Sequence, residues 1–197
     1  MHLLHIDSSF QGERSVSRAL SARAAQRWQA LHPDGTVTYR DFHADPLPHY
    51  TLEEGPARSV ALIEEVKRAD TVLLGLPLYN FGAPSTVKAW VDHLILGGES
   101  FDAETREPFL VDKDFIVLAS RGGGYAPGTP RDGWDHAETW LPHGISLTGL
   151  EPRFITAELT LAPVTPAMAE LIPLAEQSRA AAEAEIDALW TPIPAAA

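Results

Sequence analysis

Three short segments of this 197-residue chain carry residue types that can hold a flat, phosphorylated ligand. The first is Pro77-Leu78-Tyr79-Asn80-Phe81-Gly82-Ala83-Pro84, where an apolar run breaks into aromatic, amide and small residues before a helical pattern starts. Groups of this kind at the end of a buried strand suit the edge of a heteroaromatic ring. Asn80 and Gly82 can equally make a plain turn, with Pro84 presetting the first helical residue. The second segment, Asp7-Ser8-Ser9-Phe10-Gln11-Gly12-Glu13-Arg14-Ser15-Val16-Ser17, lies between an apolar run and an amphipathic helix. Hydroxyls and free N–H groups at a helix start, beside the positive end of the helix dipole, form a site for a phosphate. Ser15 could serve only as an N-cap, but the loop holds more serines than one cap requires. The third segment, Ala119-Ser120-Arg121-Gly122-Gly123-Gly124-Tyr125, again follows an apolar run. Consecutive glycines let backbone approach a flat ligand closely; they also suit a flexible surface loop.

The composition narrows the chemistry further. Cysteine is absent, which removes disulfides, thiolate catalysis and Cys-based metal or iron–sulfur sites, so redox work needs a bound cofactor. The eight histidines show no paired helical spacing with a general-base Glu, and no metal site is expected. A formal net charge of -12 disfavours nucleic acid and anionic membranes, because phosphate attraction needs clustered Lys and Arg. The basic residues are scattered instead. No signal peptide precedes Met1-His2-Leu3 and no apolar run has membrane-span length, so a cytoplasmic protein is expected. With 45% hydrophobic and 21% charged residues, the chain has the makeup of one ordinary globular domain over 1–190, and 191–197 reads as a loose tail.

The elements that must position these segments can be read from periodicity. Five apolar, β-branched runs predict strands at His2–Asp7, Thr36–Asp41, Thr71–Leu76, Asp114–Ala119 and Arg153–Glu158. Longer helical patterns alternate with them. Val16, Ala19, Leu20, Ala24, Trp28 and Leu31 share one helical face, which Pro33-Asp34-Gly35 ends. A second helix is predicted over Pro56–Lys67 with Val60, Ile63 and Val66 inward. The third starts at Pro84 or Ser85 and carries Val87, Trp90, Val91 and Leu94. A fourth covers Trp134–Ile145, with Pro142 inside it, and the last begins near Pro166, bends at Pro173 and runs through Trp190. The connections 42–52 and 97–113 are longer than packing needs and are candidates for binding or subunit contact.

Alternating strands and helices with right-handed crossovers fit an α/β flavodoxin-like three-layer sandwich, its parallel sheet in the order 2-1-3-4-5. In that order strands 1, 3 and 4 are neighbours. Each of the three segments follows one of them, so all three should open onto the crevice at the strand ends, where the sheet reverses direction.

The residues then resemble a known family, the FMN-dependent NADH azoreductases, also described as quinone reductases. The likeness lies in Ser9 with Ser15-Val16-Ser17, in Pro77-Leu78-Tyr79-Asn80-Phe81 with Pro84, Lys88 and Asp92, in Ser120-Arg121-Gly122-Gly123, and in Trp140-Leu141-Pro142-His143-Gly144-Ile145. It extends over nearly the whole chain. The resemblance implies a homodimer with one non-covalent FMN per subunit, reduced by NADH or NADPH and reoxidised by quinones or azo compounds. By position, Ser9, Ser15, Val16 and Ser17 would surround the FMN phosphate. Pro77, Leu78, Tyr79, Asn80 and Phe81 would line the flavin ring, and Ser120, Arg121, Gly122 and Gly123 its other side. Tyr125 would flank the acceptor, or be a plain surface tyrosine. No side chain need act as a catalytic nucleophile, because the flavin carries the chemistry. The chain departs from the family over Asp102-Ala103-Glu104-Thr105-Arg106-Glu107-Pro108-Phe109 and after the second strand, places that shape the substrate pocket. Rival readings are a flavodoxin-type electron carrier, an FAD-using quinone reductase and a flavin-free interaction protein on the same scaffold.

Overall fold

A computed structural model describes residues 1–191 and places five strands, β1 (His2–Asp7), β2 (Thr36–Asp41), β3 (Thr71–Pro77), β4 (Asp114–Ser120) and β5 (Pro152–Ala157), in one sheet. The order is β2-β1-β3-β4-β5 and every pairing is parallel. Residues 192–197, most of the tail expected from the sequence, lie outside the described residues.

Five α-helices cover the two faces: α1 (Val16–Leu31), α2 (Gly55–Arg68), α3 (Ser85–Leu94), α4 (His136–Gly144) and α5 (Ile172–Ala188). Strand side chains alternate between two cores, as the period of two demands. Leu4 and Ile6 of β1, with Val72, Leu74 and Leu76 of β3, pack against α2, α3 and α4. Leu3 and Leu73 face α1 and α5, with Trp28 and Ile186. Both faces of β3 and β4 are therefore covered, which explains their near-continuous apolar sequences, whereas β2 is an edge strand and more exposed.

Several expectations shift. Val60 is 37% exposed; the inward residues of α2 are Ser59, Leu62, Ile63 and Val66. On α1, Ala19 and Leu31 face solvent, while Ser17 and Ser21 are buried beside Leu20, Ala24 and Trp28. An apolar count alone rotates that face wrongly, because these serines are packed for what they bond to. α4 starts after Asp135, which accepts from Ala137 N and Glu138 N, so Trp134 lies outside it. Residues Pro166–Leu171 form a 3-10 helix, and Pro173 falls in the first turn of α5, where a missing N–H costs nothing; it begins the helix and does not bend it.

No described helix is long and apolar enough to cross a membrane. The long 97–113 connection is pinned by Phe101 and Leu110, both buried, and by an Asp102 side chain that accepts from Glu104 N and Thr105 N.

Candidate functional site

The site starts from a close approach of α1 to the carboxyl ends of β1 and β3. Asp7 and Gly75 are paired across the two strands and both face α1. Gly75 has no side chain to hold the helix off, and Ser21 Oγ reaches Asp7 Oδ1 at 2.7 Å. The first turn of α1 is thereby drawn against the end of the sheet. Ser15 is its N-cap and accepts from Arg18 N at 3.3 Å. The N–H groups of Val16 and Ser17, exposed by the helix geometry, meet no acceptor among the described residues.

The other two segments meet this loop. Ser9 Oγ lies 2.8 Å from Tyr79 Oη, and Leu78 N donates to Ser120 O at 2.8 Å. Together they enclose a cavity of about 470 Å³, walled by Arg14, Ser15 and Val16, by Pro77, Leu78 and Tyr79, and by Ser120 and Gly122. Its volume falls in the range of sites for ligands of cofactor size. The expected convergence of three distant loops is present. Of the residues singled out in the sequence, Ser9 and Ser17 are buried beneath this wall, with Ser17 Oγ 3.1 Å from Ser15 Oγ.

Asn80 and Phe81 form the corner of a tight turn: Tyr79 and Gly82 exchange both backbone hydrogen bonds at 3.0 Å. Their φ angles are +49° and +66°, in the left-handed region that a bulky residue such as Phe81 enters at a cost. The turn is held by Phe81 itself, whose ring packs edge-on against Trp134 at 5.2 Å and whose carbonyl accepts from His136 N at 2.9 Å. The N–H groups of Asn80 and Phe81 are left without a described partner, as are those of Gly122 and Gly123. Asn80 borders a second cavity, also about 470 Å³, with Phe42, His43 and Pro46 from the connection after β2. That connection thus reaches the neighbourhood of the site. The 97–113 connection lines neither cavity.

Arg121 is turned away from the cavity. Its guanidinium sits among three carboxylates: Nη1 donates to Glu158 at 2.9 Å, Nη2 pairs with Glu138, and Nε lies 2.6 Å from Asp135 without being aimed for a hydrogen bond. Asp135 and Glu138 belong to the start of α4, and Glu158, at the end of β5, also accepts from Tyr125 N. The arginine therefore ties down both ends of the glycine loop. Gly123 is buried behind Gly122, and Tyr125 packs near Phe81 at 6.3 Å.

Sequence reasoning missed four contributors. Phe10, 59% exposed, stacks on Tyr79 at 4.4 Å and separates the two cavities. Arg14 lines the first cavity and makes no ion pair with a described residue. Leu161 and Val164, after β5, close its far side. Their segment is held by Leu161 N to Gly122 O and Leu159 N to Gly123 O, extending the β4–β5 pairing past the strand ends. An exposed Phe in a serine loop and the Leu159-Thr160-Leu161 alternation were the available signals.

The walls fit a phosphorylated flavin. One end offers uncapped helix N–H groups, hydroxyls and an unpaired guanidinium, which an anion would satisfy; the remainder is apolar, aromatic and glycine. Among the described residues no three His, Asp or Glu side chains cluster as metal ligands.

Known proteins resemble this chain in family and in fold. A family model described as having a flavodoxin-like fold matches residues 1–187. An FMN-dependent NADH:quinone oxidoreductase of Streptomyces avermitilis is 45% identical over 91% of this chain and 91% of its own length. One of the same name from Frankia casuarinae is 40% identical, covering 93% and 95%. Among solved structures, an azoreductase from Bacillus anthracis shares the fold with a TM-score of 0.77 at 21% identity, over 95% of this chain and 97% of that one.

Proposed function

The chain belongs to the flavodoxin-like family together with the FMN-dependent NADH:quinone oxidoreductases, and on that footing we propose that it is an FMN-dependent NADH oxidoreductase acting on quinones and azo compounds. The observation that carries this reading is the meeting of the β1, β3 and β4 loops on one cavity that has free helix N–H groups at one end.

When bound, FMN would supply two-electron redox chemistry between a reduced nicotinamide and the acceptor. The protein's part is binding and orientation. The N–H of Val16, the hydroxyl of Ser15 and Arg14 would hold the phosphate, with Ser9 and Ser17, both buried, shaping the loop from beneath. Pro77, Leu78 and Tyr79 on one side, and Ser120 and Gly122 on the other, bound the ring. The unpartnered N–H groups of Asn80, Phe81, Gly122 and Gly123 are preorganised donors, fixed before any ligand arrives. Arg121 supports the glycine loop through its three carboxylates and leaves the ring contact to the backbone. Tyr125 flanks the acceptor.

Nicotinamide and acceptor use the same opening in turn, which is a ping-pong order. NADPH serves as donor if a 2′-phosphate is accommodated. A homodimer, carried by the sequence resemblance, belongs to the same reading, as do residues 1–190 acting as one FMN-binding unit and a cytoplasmic setting, both expected from the sequence.

Steady-state oxidation of NADH by menadione and by methyl red, with FMN present, tests it. Parallel double-reciprocal plots are expected. Intersecting plots would reject the shared opening, and FMN binding without turnover would point to an electron carrier.

A further inference from the structure

Arg18 occupies an unusual place for a cation. It is the third residue of α1, in the first turn, where the helix dipole disfavours positive charge, and its side chain is only 15% exposed. Instead of extending into solvent, the guanidinium folds back onto the loop after β1. Nε and Nη2 both donate to the carbonyl of Ser9, at 3.0 and 2.6 Å. Nη2 also donates to Asp41 Oδ1 at 2.6 Å, and Nη1 donates to Tyr39 Oη at 3.2 Å and lies 3.7 Å from Asp7 Oδ2. The edge strand β2 and the end of β1 thus anchor the guanidinium, and two parallel donors fix a single backbone oxygen.

That oxygen matters for the polarity of the loop. In a trans peptide the carbonyl and the following N–H point in opposite directions. With Ser9 O held toward Arg18, the N–H of Phe10 is turned the other way, and no acceptor among the described residues meets it. Flipped, the same peptide would present a carbonyl, which repels an anion. The geometry points to Arg18 as a positioning residue that sets the Ser9–Phe10 peptide so that the loop offers N–H groups to the FMN phosphate. Its role rests on the FMN reading above. Asp41, Tyr39 and Asp7 act through it, as the anchors that keep the fork aligned.

Flavin-stripped full-length protein titrated with FMN and with riboflavin, followed by flavin fluorescence, tests this without recourse to turnover. Riboflavin has the ring and lacks the phosphate. In R18M, FMN affinity should fall by about tenfold or more, the scale of lost hydrogen bonds from a charged donor, while riboflavin affinity changes little. R18K keeps the charge but cannot give one carbonyl two fixed donors, so it should lose much of the preference as well. D41N, which loosens the anchor, should give a smaller loss of the same kind.

Equal weakening of both ligands by R18M, or an unchanged FMN preference, would overturn the role. Full preference retained in R18K would show that charge alone suffices and would overturn the peptide-setting account. If R18M fails to fold, R18K and D41N decide the matter by the same ratio. Wild-type protein that binds FMN no better than riboflavin would instead overturn the phosphate site itself, and Arg18's role with it.

Discussion

Replacing Gly75 by Ala should damage the protein out of proportion to one methyl group. A Cβ built on Gly75 would overlap Asp7 Oδ1, with Ser21 Oγ at 3.3 Å and Ser17 O at 3.4 Å. Asp7 has nowhere to retreat: it is 3% exposed and receives hydrogen bonds from Ser21 at 2.7 Å and Tyr39 at 3.0 Å. Displacing the carboxylate breaks a buried charge-assisted hydrogen bond, at about 1.5–3 kcal/mol. Overpacking against α1 adds about 1–3 kcal/mol. The lower chain entropy of Ala returns about 0.4–1 kcal/mol, leaving a net loss of about 2–5 kcal/mol. For a chain of this length that lowers Tm by about 5–20 °C. Thermal and urea unfolding, followed by circular dichroism, measure the change. In a D7A background the same substitution should cost less by about 1.5–3 kcal/mol, because the nearest clash partner and its hydrogen bond are gone while the α1 contacts remain. A G75A protein within about 0.5 kcal/mol of wild type, or equal costs in the two backgrounds, would refute the claim that α1 is seated by this contact.

Arg14→Ala should weaken FMN binding with a reduced dependence on salt concentration, since it removes a cavity charge with no described ion-pair partner; isothermal titration at two ionic strengths measures this. Asn80→Ala should cost about 1 kcal/mol, because Ala tolerates the left-handed region less well than Asn, and should also loosen flavin; denaturation and fluorescence titration separate the effects. Burial holds the pKa of His5 below the ordinary 6.5, with Asp7 opposing and Arg18 reinforcing the shift. As pH falls below 6.5 the unfolded chain takes up a proton that the folded chain resists, so stability drops there, while above 6.5 both forms are neutral and His5 adds no slope. H5Q should flatten the stability-against-pH curve on the acid side of that value, as urea midpoints across a pH series would report.

The sheet order and the meeting of the three loops were legible because β3 and β4 are buried on both faces, which writes unbroken apolar runs into the sequence. The hinge between fold and site was less legible. Ser17 and Ser21 are buried on α1 because Asp7 and Ser15 bond to them, and hydrophobic periodicity counts such residues as solvent-facing. Arg121 was recognisable as part of a motif, but its carboxylate partners, Asp135 and Glu138 at the start of α4 and Glu158 after β5, lie at two places in the chain that no local spacing connects to it. Leu161 and Val164 were hidden for a similar reason: their place at the cavity follows from pairing beyond β5, where the short Leu159-Thr160-Leu161 alternation runs at once into a Pro- and Thr-rich loop. Phe81 in the left-handed region ran against its own propensity, and the packing of its ring on Trp134 overrides that preference.

The central claim, that three loops build one slot for FMN, is tested most directly by the visible spectrum of the purified protein reconstituted with FMN and then mixed anaerobically with NADH. The account predicts one FMN retained per chain through gel filtration and prompt bleaching of the flavin absorbance by NADH. Flavin that elutes free of the protein, or that stays bound and oxidised in the presence of NADH, would contradict it.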